Sequence, residues 1–185
     1  IIKQLLHLKY NLTPEVINPE KIQQKQLVWL LKKAKETAFG KHYGFSEILA
    51  TKDIVTSYQQ KVPVFEYDRM HQEWWHRQQV EENITWKGKP DYFALSSGTT
   101  GSESKRIPVT QDMIDCICSV GRKQIESLVN FDLASDLFEK GVLMLGSSTN
   151  LKERNGHLEG EITGISASNL PAWFKKYYKP GAEIS

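Results

Sequence analysis

The sequence predicts an α/β fold in which a helical first half precedes the start of a β-sheet region. The pair Asn18-Pro19 combines a capping side chain with proline, which is typical of a helix start. Between residues 91 and 110, two short apolar runs flank a polar loop, which indicates strand–loop–strand structure. Residues 142–146 are continuously apolar and predict a strand buried on both faces. We therefore divide the chain into a helical segment, residues 1–90, and a sheet-forming segment, residues 91–185.

The sequence predicts two helices between residues 18 and 61. The first covers residues 20–38, with Gly40 as its C-terminal cap. Its apolar stripe consists of Leu27, Leu30, Leu31, Ala34 and Ala38. The second covers residues 53–60 and stops before Pro63, because the residue that precedes a proline disfavours helical geometry.

A third helix is predicted over residues 68–79, and it contains Trp74 and Trp75. Two neighbouring tryptophans could stack on a ligand. Large aromatic side chains at this spacing are more often part of a core. We therefore interpret both tryptophans as buried anchors of the helix.

The second half begins with strands at residues 92–95 and 106–109. The other predictions there are a helix from Thr110 to about Val129, a short helix at 133–140, and a final helix from Asn169 through Tyr178. Residues 147–168 are rich in Gly, Ser, Thr and Asn, so we expect mostly loop with one or two short strands. Within them, residues 156–160 resemble a turn to which the sequence gives no role.

The loop between the first two predicted strands is the strongest functional signal. It reads Ser96-Ser97-Gly98-Thr99-Thr100-Gly101-Ser102-Glu103-Ser104-Lys105, and we call it the phosphate loop. Glycines let an anion approach the main chain, and successive N–H groups form an anion-binding concavity. The hydroxyls add neutral donors and Lys105 adds a positive charge. The spacing differs from the Walker A pattern. A flexible surface turn is the alternative, but the two apolar flanks favour a loop that is fixed at both ends.

The run from Phe93 to Thr110 resembles the auxin-responsive acyl acid amido synthetase family of the adenylate-forming superfamily. Two upstream blocks fit the same family: residues 37–45, which read Thr-Ala-Phe-Gly-Lys-His-Tyr-Gly-Phe, and Val62-Pro63-Val64 followed by Tyr67. Three blocks in the right order are more specific than one loop. The resemblance covers roughly residues 22–180 and weakens after Thr110.

The resemblance implies the incomplete N-terminal part of an adenylate-forming large domain. It implies an ATP-dependent enzyme that adenylates a small carboxylic acid and transfers the acyl group to an amino acid. ATP and Mg²⁺ are the expected cofactors. Lys105 is the expected catalytic residue, which reaches the leaving group or fixes the loop. The expected nucleotide-binding residues are Ser96, Ser97, Gly98, Thr99, Thr100, Gly101 and Ser102. A structural ion pair is the alternative role for Lys105.

The chain has no initiator methionine, and members of the resembled family are longer, so we expect the remainder of the same polypeptide to complete the site. A Tyr-x-x-Ser/Thr-Glu segment and a Gly-Asp segment are expected downstream, and residues 1–185 alone should be inactive. Two alternatives remain. One is an acyl-CoA ligase of the same superfamily, and the other is a non-catalytic regulatory or binding domain of the same shape. The sequence that follows Ser185 would separate an enzyme from a binding domain.

Composition argues against several other classes of function. The net charge is +2 with acids and bases interspersed, which does not favour a nucleic-acid partner. No apolar stretch approaches the length of a membrane span, so no membrane partner is expected. Cys116 and Cys118 point to different faces of a helix, so we expect neither a disulfide nor a metal pair, and we expect a cytoplasmic location. The five histidines show no metal spacing and are interpreted as polar surface or cap residues.

Overall fold

The computed structural model of the chain describes residues 18–96, 104–134, 141–143, 149–175 and 178–179. The chain divides into two compact units. One is helical and lies within Val16–Asp91, and the other contains the four-stranded sheet, with its described residues beginning at Tyr92. We call them the helical unit and the sheet unit.

The described part of the helical unit consists of short helices joined by tight turns. They are α1 (Pro19–Ala34), α2 (Ala38–His42), α3 (Phe45–Ala50), α4 (Ile54–Lys61) and α5 (Tyr67–Met70). Helix α5 continues into a π-helical turn at His71–Trp75, and a 3₁₀ turn follows at Arg77–Gln79. The predicted helix at 68–79 is therefore helical along its length but changes its winding twice.

Side-chain caps set the starts of the longer helices. The Asn18 side chain accepts a hydrogen bond from the Lys21 N–H (3.0 Å), and the Asp53 side chain accepts one from the Thr56 N–H (3.0 Å). Each satisfies a backbone donor that the first helical turn leaves without a partner. The hydrogen bond from the Thr56 N–H lowers the pKa of Asp53, because it favours the charged carboxylate over the protonated acid. The predicted starts of α1 and α4 are confirmed.

The predicted end of the first helix is wrong. Helix α1 ends at Ala34, because Thr37 begins a new helix. The Thr37 hydroxyl donates to the Ala34 carbonyl (2.6 Å) and accepts from the Gly40 N–H (3.0 Å). Gly40 is therefore not a C-terminal cap but lies within α2. A Cβ there would collide with the Ala34 carbonyl oxygen, so packing requires the glycine.

One apolar core holds the helical unit together. Its buried members are Leu31, Ala34, Phe39, Phe45, Ile48, Val62, Trp74 and Ile84. The Phe39 ring meets the Trp74 ring edge-on, with 5.0 Å between the ring centroids. Trp75 is half-buried and packs against this core, so the prediction of buried anchors is confirmed for Trp74 and only in part for Trp75.

The sheet unit is built on a four-stranded mixed sheet in the order β2-β1-β5-β4. Its strands are β1 (Tyr92–Leu95), β2 (Arg106–Val109), β4 (Lys152–Arg154) and β5 (His157–Gly160). Strand β1 is antiparallel to β2 and parallel to β5. The short strands β3 (Val142–Leu143) and β6 (Tyr178–Lys179) pair in parallel with each other. The helices are α6 (Gln111–Ser127), which ends in a 3₁₀ turn at Leu128–Asn130, α7 (Ile162–Ser168) and α8 (Ala172–Lys175).

Helices α6 and α7 cover one face of the four-stranded sheet. The buried members of this second core are Ala94, Val109, Ile114 and Ile165. Thr110 caps α6 by accepting a hydrogen bond from the Met113 N–H (3.3 Å), so the predicted start of α6 is confirmed. The mixed helix and sheet composition agrees with the predicted fold class.

Several predictions for the second half are wrong. Residues 147–168 contain a helix, α7, as well as two strands. The final helix ends at Lys175, and Tyr178 belongs to β6. Leu143 is 69% exposed, so the strand at residues 142–143 is not buried on both faces. Most of the predicted helix at 133–140 lies outside the described residues.

Candidate functional site

Two paired strands hold the ends of the phosphate loop. Leu95 of β1 lies opposite Arg106 of β2 in the last registered pair of the hairpin. Beyond this pair, the Ser96 N–H donates to the Lys105 carbonyl (3.0 Å). The backbone on both sides of the loop is therefore fixed at one hydrogen-bonded base. Antiparallel pairing leaves few ways for the two ends to move independently.

The structure describes the base of the loop and not its centre. Ser96 is half-buried, and Ser104 and Lys105 are exposed. The predicted binding residues from Ser97 to Ser102 lie outside the described residues, so their contribution stays a prediction. Both roles suggested for Lys105 also stay open.

The start of α6 lies away from the loop. Strand β2 leaves the loop at Arg106 and runs four residues before Thr110 caps the helix. At about 3.3 Å per residue, this separates the helix N-terminus from the loop base by roughly 13 Å. The hairpin thus differs from a Walker A loop, in which a helix begins directly under the phosphates. Any anion held here would depend on loop backbone and side chains rather than on this helix dipole.

The opposite face of the sheet carries a group of charged side chains, which we call the charged cluster: Arg106, Arg154, His157 and Glu159. The pairing register places Glu159 beside Phe93 of β1, and Arg154 opposite His157. Opposed residues of neighbouring strands project to the same face. The cluster therefore lies on the face that α6 and α7 do not cover.

Glu159 is the centre of the charged cluster. One oxygen, Oε1, lies 3.1 Å from Arg106 Nε and 3.1 Å from His157 Nε2, and Oε2 lies 4.0 Å from Arg154 Nη1. The Glu159 side chain is only 7% exposed. A buried carboxylate is costly unless cations and hydrogen-bond partners surround it. Here the two arginines supply positive charge and the His157 ring supplies the hydrogen-bond contact.

The His157 ring is held between Glu159 and an aromatic side chain. It is buried, and its centroid lies 4.5 Å from that of Phe93. Within the described ranges, its Nδ1 atom has no hydrogen-bond partner. The interpretation of His157 as a polar surface or cap residue is therefore wrong.

The dipeptide Asn155-Gly156 is a sequence signal for the hairpin that carries His157 and Glu159. Asn155 and Gly156 both have positive φ angles, 52° and 77°, and they connect β4 to β5. Asn-Gly between two strands is the preferred two-residue hairpin turn. Of the predicted turn at 156–160, only Gly156 is a turn residue, and the rest forms strand β5. Alternate residues of this strand, His157 and Glu159, are buried.

The helical unit carries a shallow open groove of about 380 Å³. It is lined by Lys41, His42, Tyr43, Gly44, Glu47 and Lys61. Burial, and then the charge of Glu73, raise the pKa of Tyr43, which keeps the phenol protonated. Several of these residues belong to the block at 37–45, whose other members have clear packing roles. The groove is open to solvent and brings together no recognisable catalytic arrangement.

The described residues contain neither a membrane-spanning helix nor a metal-binding cluster. No helix within the described ranges is both long and apolar enough to cross a bilayer. No group of three or more His, Cys, Asp or Glu side chains in that part of the chain is arranged to hold a metal ion. Cys116 and Cys118 are both free thiols on α6, and burial raises the pKa of Cys118.

Comparison with known proteins gives one family and a consistent fold. The model of the GH3 family N-terminal domain matches residues 11–184. Among solved structures, the chain resembles a GH3.15 acyl acid amido synthetase, with a TM-score of 0.67, 19% identity, and coverage of 90% of this chain and 29% of that one. It also resembles AtGH3.15 acyl acid amido synthetase in complex with 2,4-DB, with a TM-score of 0.67 and 19% identity. That match covers 97% of this chain and 30% of the other.

At 19% identity, these two structural matches show the fold alone. The chain spans about 30% of the length of the solved proteins that it resembles. No curated protein sequence matches it.

Proposed function

Because the chain belongs to the GH3 family, we propose that it supplies the phosphate-binding part of an ATP-dependent acyl acid–amido synthetase. The observation that carries the proposal is the hairpin whose base holds a loop of Ser, Thr and Gly residues between β1 and β2. The adenylate-forming reaction needs a rigid set of donors around the ATP phosphates, and this hairpin is suited to present one.

The proposed reaction has two steps. A carboxylate oxygen of the acid attacks the α-phosphorus of ATP, the bond to the β-phosphate oxygen breaks, and pyrophosphate leaves. The amine of an amino acid then attacks the acyl carbon, an amide forms, AMP leaves, and the amine loses a proton. The protein has little covalent chemistry to perform in the first step. Positioning and charge stabilisation therefore account for most of its contribution.

We assign the β- and γ-phosphates to the backbone N–H groups and hydroxyls of the phosphate loop. The residues that would surround them are Ser96, Ser97, Gly98, Thr99, Thr100, Gly101 and Ser102. Lys105 follows at the base, where its ammonium would neutralise the leaving pyrophosphate. Donors on a fixed hairpin need little reorganisation as charge moves onto the pyrophosphate, which is the condition for effective electrostatic catalysis.

Mg²⁺ would enter with the nucleotide. It prefers oxygen ligands and commonly binds through substrate phosphates and one or two protein groups, so the hydroxyl-rich loop is chemically suited to it. Its role would be to neutralise phosphate charge. We also propose a cytoplasmic location, because two free cysteines fit a reducing compartment.

The experiment is ATP–pyrophosphate exchange by the complete gene product against a panel of carboxylic acids. Exchange that depends on one class of acid supports acyl-adenylate formation. A folded protein that binds ATP but exchanges no pyrophosphate with any acid would favour a binding domain instead.

A second experiment identifies the acceptor. The protein is incubated with ATP, an accepted acid, and either a mixture of amino acids or coenzyme A. We expect an amide in the first reaction and no thioester in the second. Thioester without amide would contradict the amido synthetase assignment and support an acyl-CoA ligase.

A further inference from the structure

We propose that Glu159 is a positioning residue: its buried carboxylate, acting through Arg106, holds the C-terminal end of the phosphate loop in place. The inference rests on the proposed function in one respect, since it assigns the loop to ATP. The anchoring itself can be measured without any reaction.

The ion pair connects two strands that are not neighbours. Arg106 is the first residue of β2, and Glu159 lies on β5, with β1 between them. Adjacent strands lie about 4.8 Å apart, so the two backbones are separated by roughly 10 Å. Arg106 lies opposite Leu95 and Glu159 lies beside Phe93, so the two side chains span this distance across β1 between these two residues. The pair therefore links β2, the strand that follows the loop, to β5, which lies parallel to β1.

Burial distinguishes this pair from the exposed arginine–glutamate pairs of the helical unit. In the helical unit, Arg77 and Glu81 are joined by a 2.7 Å contact, but their side chains are 37% and 48% exposed. Water and salt screen such a pair, and it contributes little. The Arg106 side chain is 29% exposed, but the Glu159 side chain is only 7% exposed, so solvent screens the attraction between them less.

His157 fixes the direction of the carboxylate. Its Nε2 lies 3.1 Å from the same Glu159 oxygen that faces Arg106 Nε, and its ring packs on Phe93. The carboxylate is thus supported from its own strand and directed toward Arg106. Removal of the negative charge leaves Arg106 without this anchor while most of the packing around Glu159 remains.

The anchor acts directly beside the loop. Arg106 follows Lys105, whose carbonyl accepts the hydrogen bond from the Ser96 N–H. Among the described residues, the end of the loop is held by a backbone hydrogen bond to β1 and by a side-chain ion pair to β5. Loss of the second contact should let Lys105 and the adjoining loop residues depart from the geometry that ATP requires.

The test compares Glu159→Gln with Glu81→Gln in the complete gene product. Both replace an arginine-paired carboxylate by an amide of the same shape, and Glu81 is the exposed control. We expect Glu159→Gln to raise KM for ATP about 10- to 100-fold, since small misplacements of binding groups have effects of this size. KM for the acid should stay near its wild-type value, and Glu81→Gln should change neither constant.

Hydrogen exchange provides the readout that needs no activity. We expect the amides of residues 104–107 to exchange faster in Glu159→Gln than in the wild type, while those in α6 keep their rates. Arg106→Gln should have the same effect on these amides, and it leaves the Glu159 carboxylate beside its other partners, His157 and Arg154. It therefore replaces Glu159→Gln if that variant does not fold. The double variant should be no worse than the more severe single one if the two residues act as a pair.

The outcomes separate the anchoring from the proposed function. A wild-type protein without pyrophosphate exchange contradicts the function, and hydrogen exchange of residues 104–107 then decides the anchoring. Unchanged exchange in both folded single variants overturns the proposal. An equal rise of KM for ATP and acid, with lower stability, also overturns it, because that pattern indicates only a structural role.

Discussion

The block at residues 37–45 and the phosphate loop at 96–105 both resemble family patterns, but the structure uses them differently. In the block, Thr37 is 1% exposed, and Phe39 and Phe45 are buried in the core of the helical unit. At the base of the loop, Ser104 and Lys105 are exposed on a hairpin. The first pattern therefore encodes packing, whereas we propose that the second presents donors to a ligand. Mutations should separate the two: changes in the block should alter stability, and changes in the loop should alter chemistry.

The largest effect should come from the loop. In the complete gene product, Thr99→Ala with Thr100→Ala should slow adenylation while the free energy of unfolding changes little. Each lost contact that strengthens in the transition state should cost about 2–4 kcal/mol, or roughly 30- to 1000-fold in rate. Pyrophosphate exchange measures the rate and urea unfolding measures the stability. A double variant that keeps the wild-type adenylation rate would show that the loop does not contribute to phosphate binding.

The next largest effect should come from Gly40→Ala in the block. The new Cβ would collide with the Ala34 carbonyl oxygen and meet Lys35 Cα at 2.9 Å, and these are backbone atoms that cannot rotate away. We expect a loss of about 3 kcal/mol in the free energy of unfolding, as for other overpacked sites. Chemical denaturation measures it. A loss below about 0.5 kcal/mol would mean that the turn between α1 and α2 adapts easily.

A smaller loss is expected for Thr37→Val. This change removes the hydroxyl that links Ala34 to Gly40 and leaves the Gly40 N–H without its cap. The cost should be about 2 kcal/mol. Thr51→Val is the matched control, since the Thr51 hydroxyl also bonds to a carbonyl three residues back but the residue is exposed. Equal losses in the two variants would contradict the importance of the buried cap.

The smallest effect has the opposite sign and concerns Gly121 of α6. Among the residues that the structure describes, nothing lies within 4 Å of a Cβ built there, in contrast to Gly40. Alanine is favoured over glycine in a helix, so Gly121→Ala should raise the free energy of unfolding by about 0.5–1 kcal/mol. Thermal or chemical unfolding of Gly121→Ala and of Gly40→Ala measures the two changes in the free energy of unfolding. A destabilised Gly121→Ala would indicate that α6 is packed on this side in the complete gene product.

Local sequence rules predicted the parts of the fold that local chemistry determines. Asn18, Asp53 and Thr110 were each predicted at or next to a helix start, and each accepts the expected backbone hydrogen bond. The strands at 92–95 and 106–109 match their apolar runs and flank the loop as predicted. These features depend on a few neighbouring residues, so they can be recognised without the rest of the chain.

Tertiary packing decided the parts that the sequence did not predict. Helix α7 forms from a stretch rich in Gly, Ser and Thr, where propensity alone favours a loop. Gly164 and Ile165 are buried, and Ile165 packs in the core beneath the sheet, which offsets the weak propensity. The charged cluster could not be predicted either, because β5 pairs with β1 across more than sixty residues.

The measurement that tests the phosphate assignment most directly is amide hydrogen exchange of the complete gene product with and without ATP and Mg²⁺. If the loop backbone donates to the phosphates, the amides of residues 97–102 should exchange more slowly when ATP is bound. Residues 37–45 should keep their exchange rates and serve as the internal control. Saturating ATP without any protection of residues 97–102 would contradict the assignment of this loop to the nucleotide phosphates.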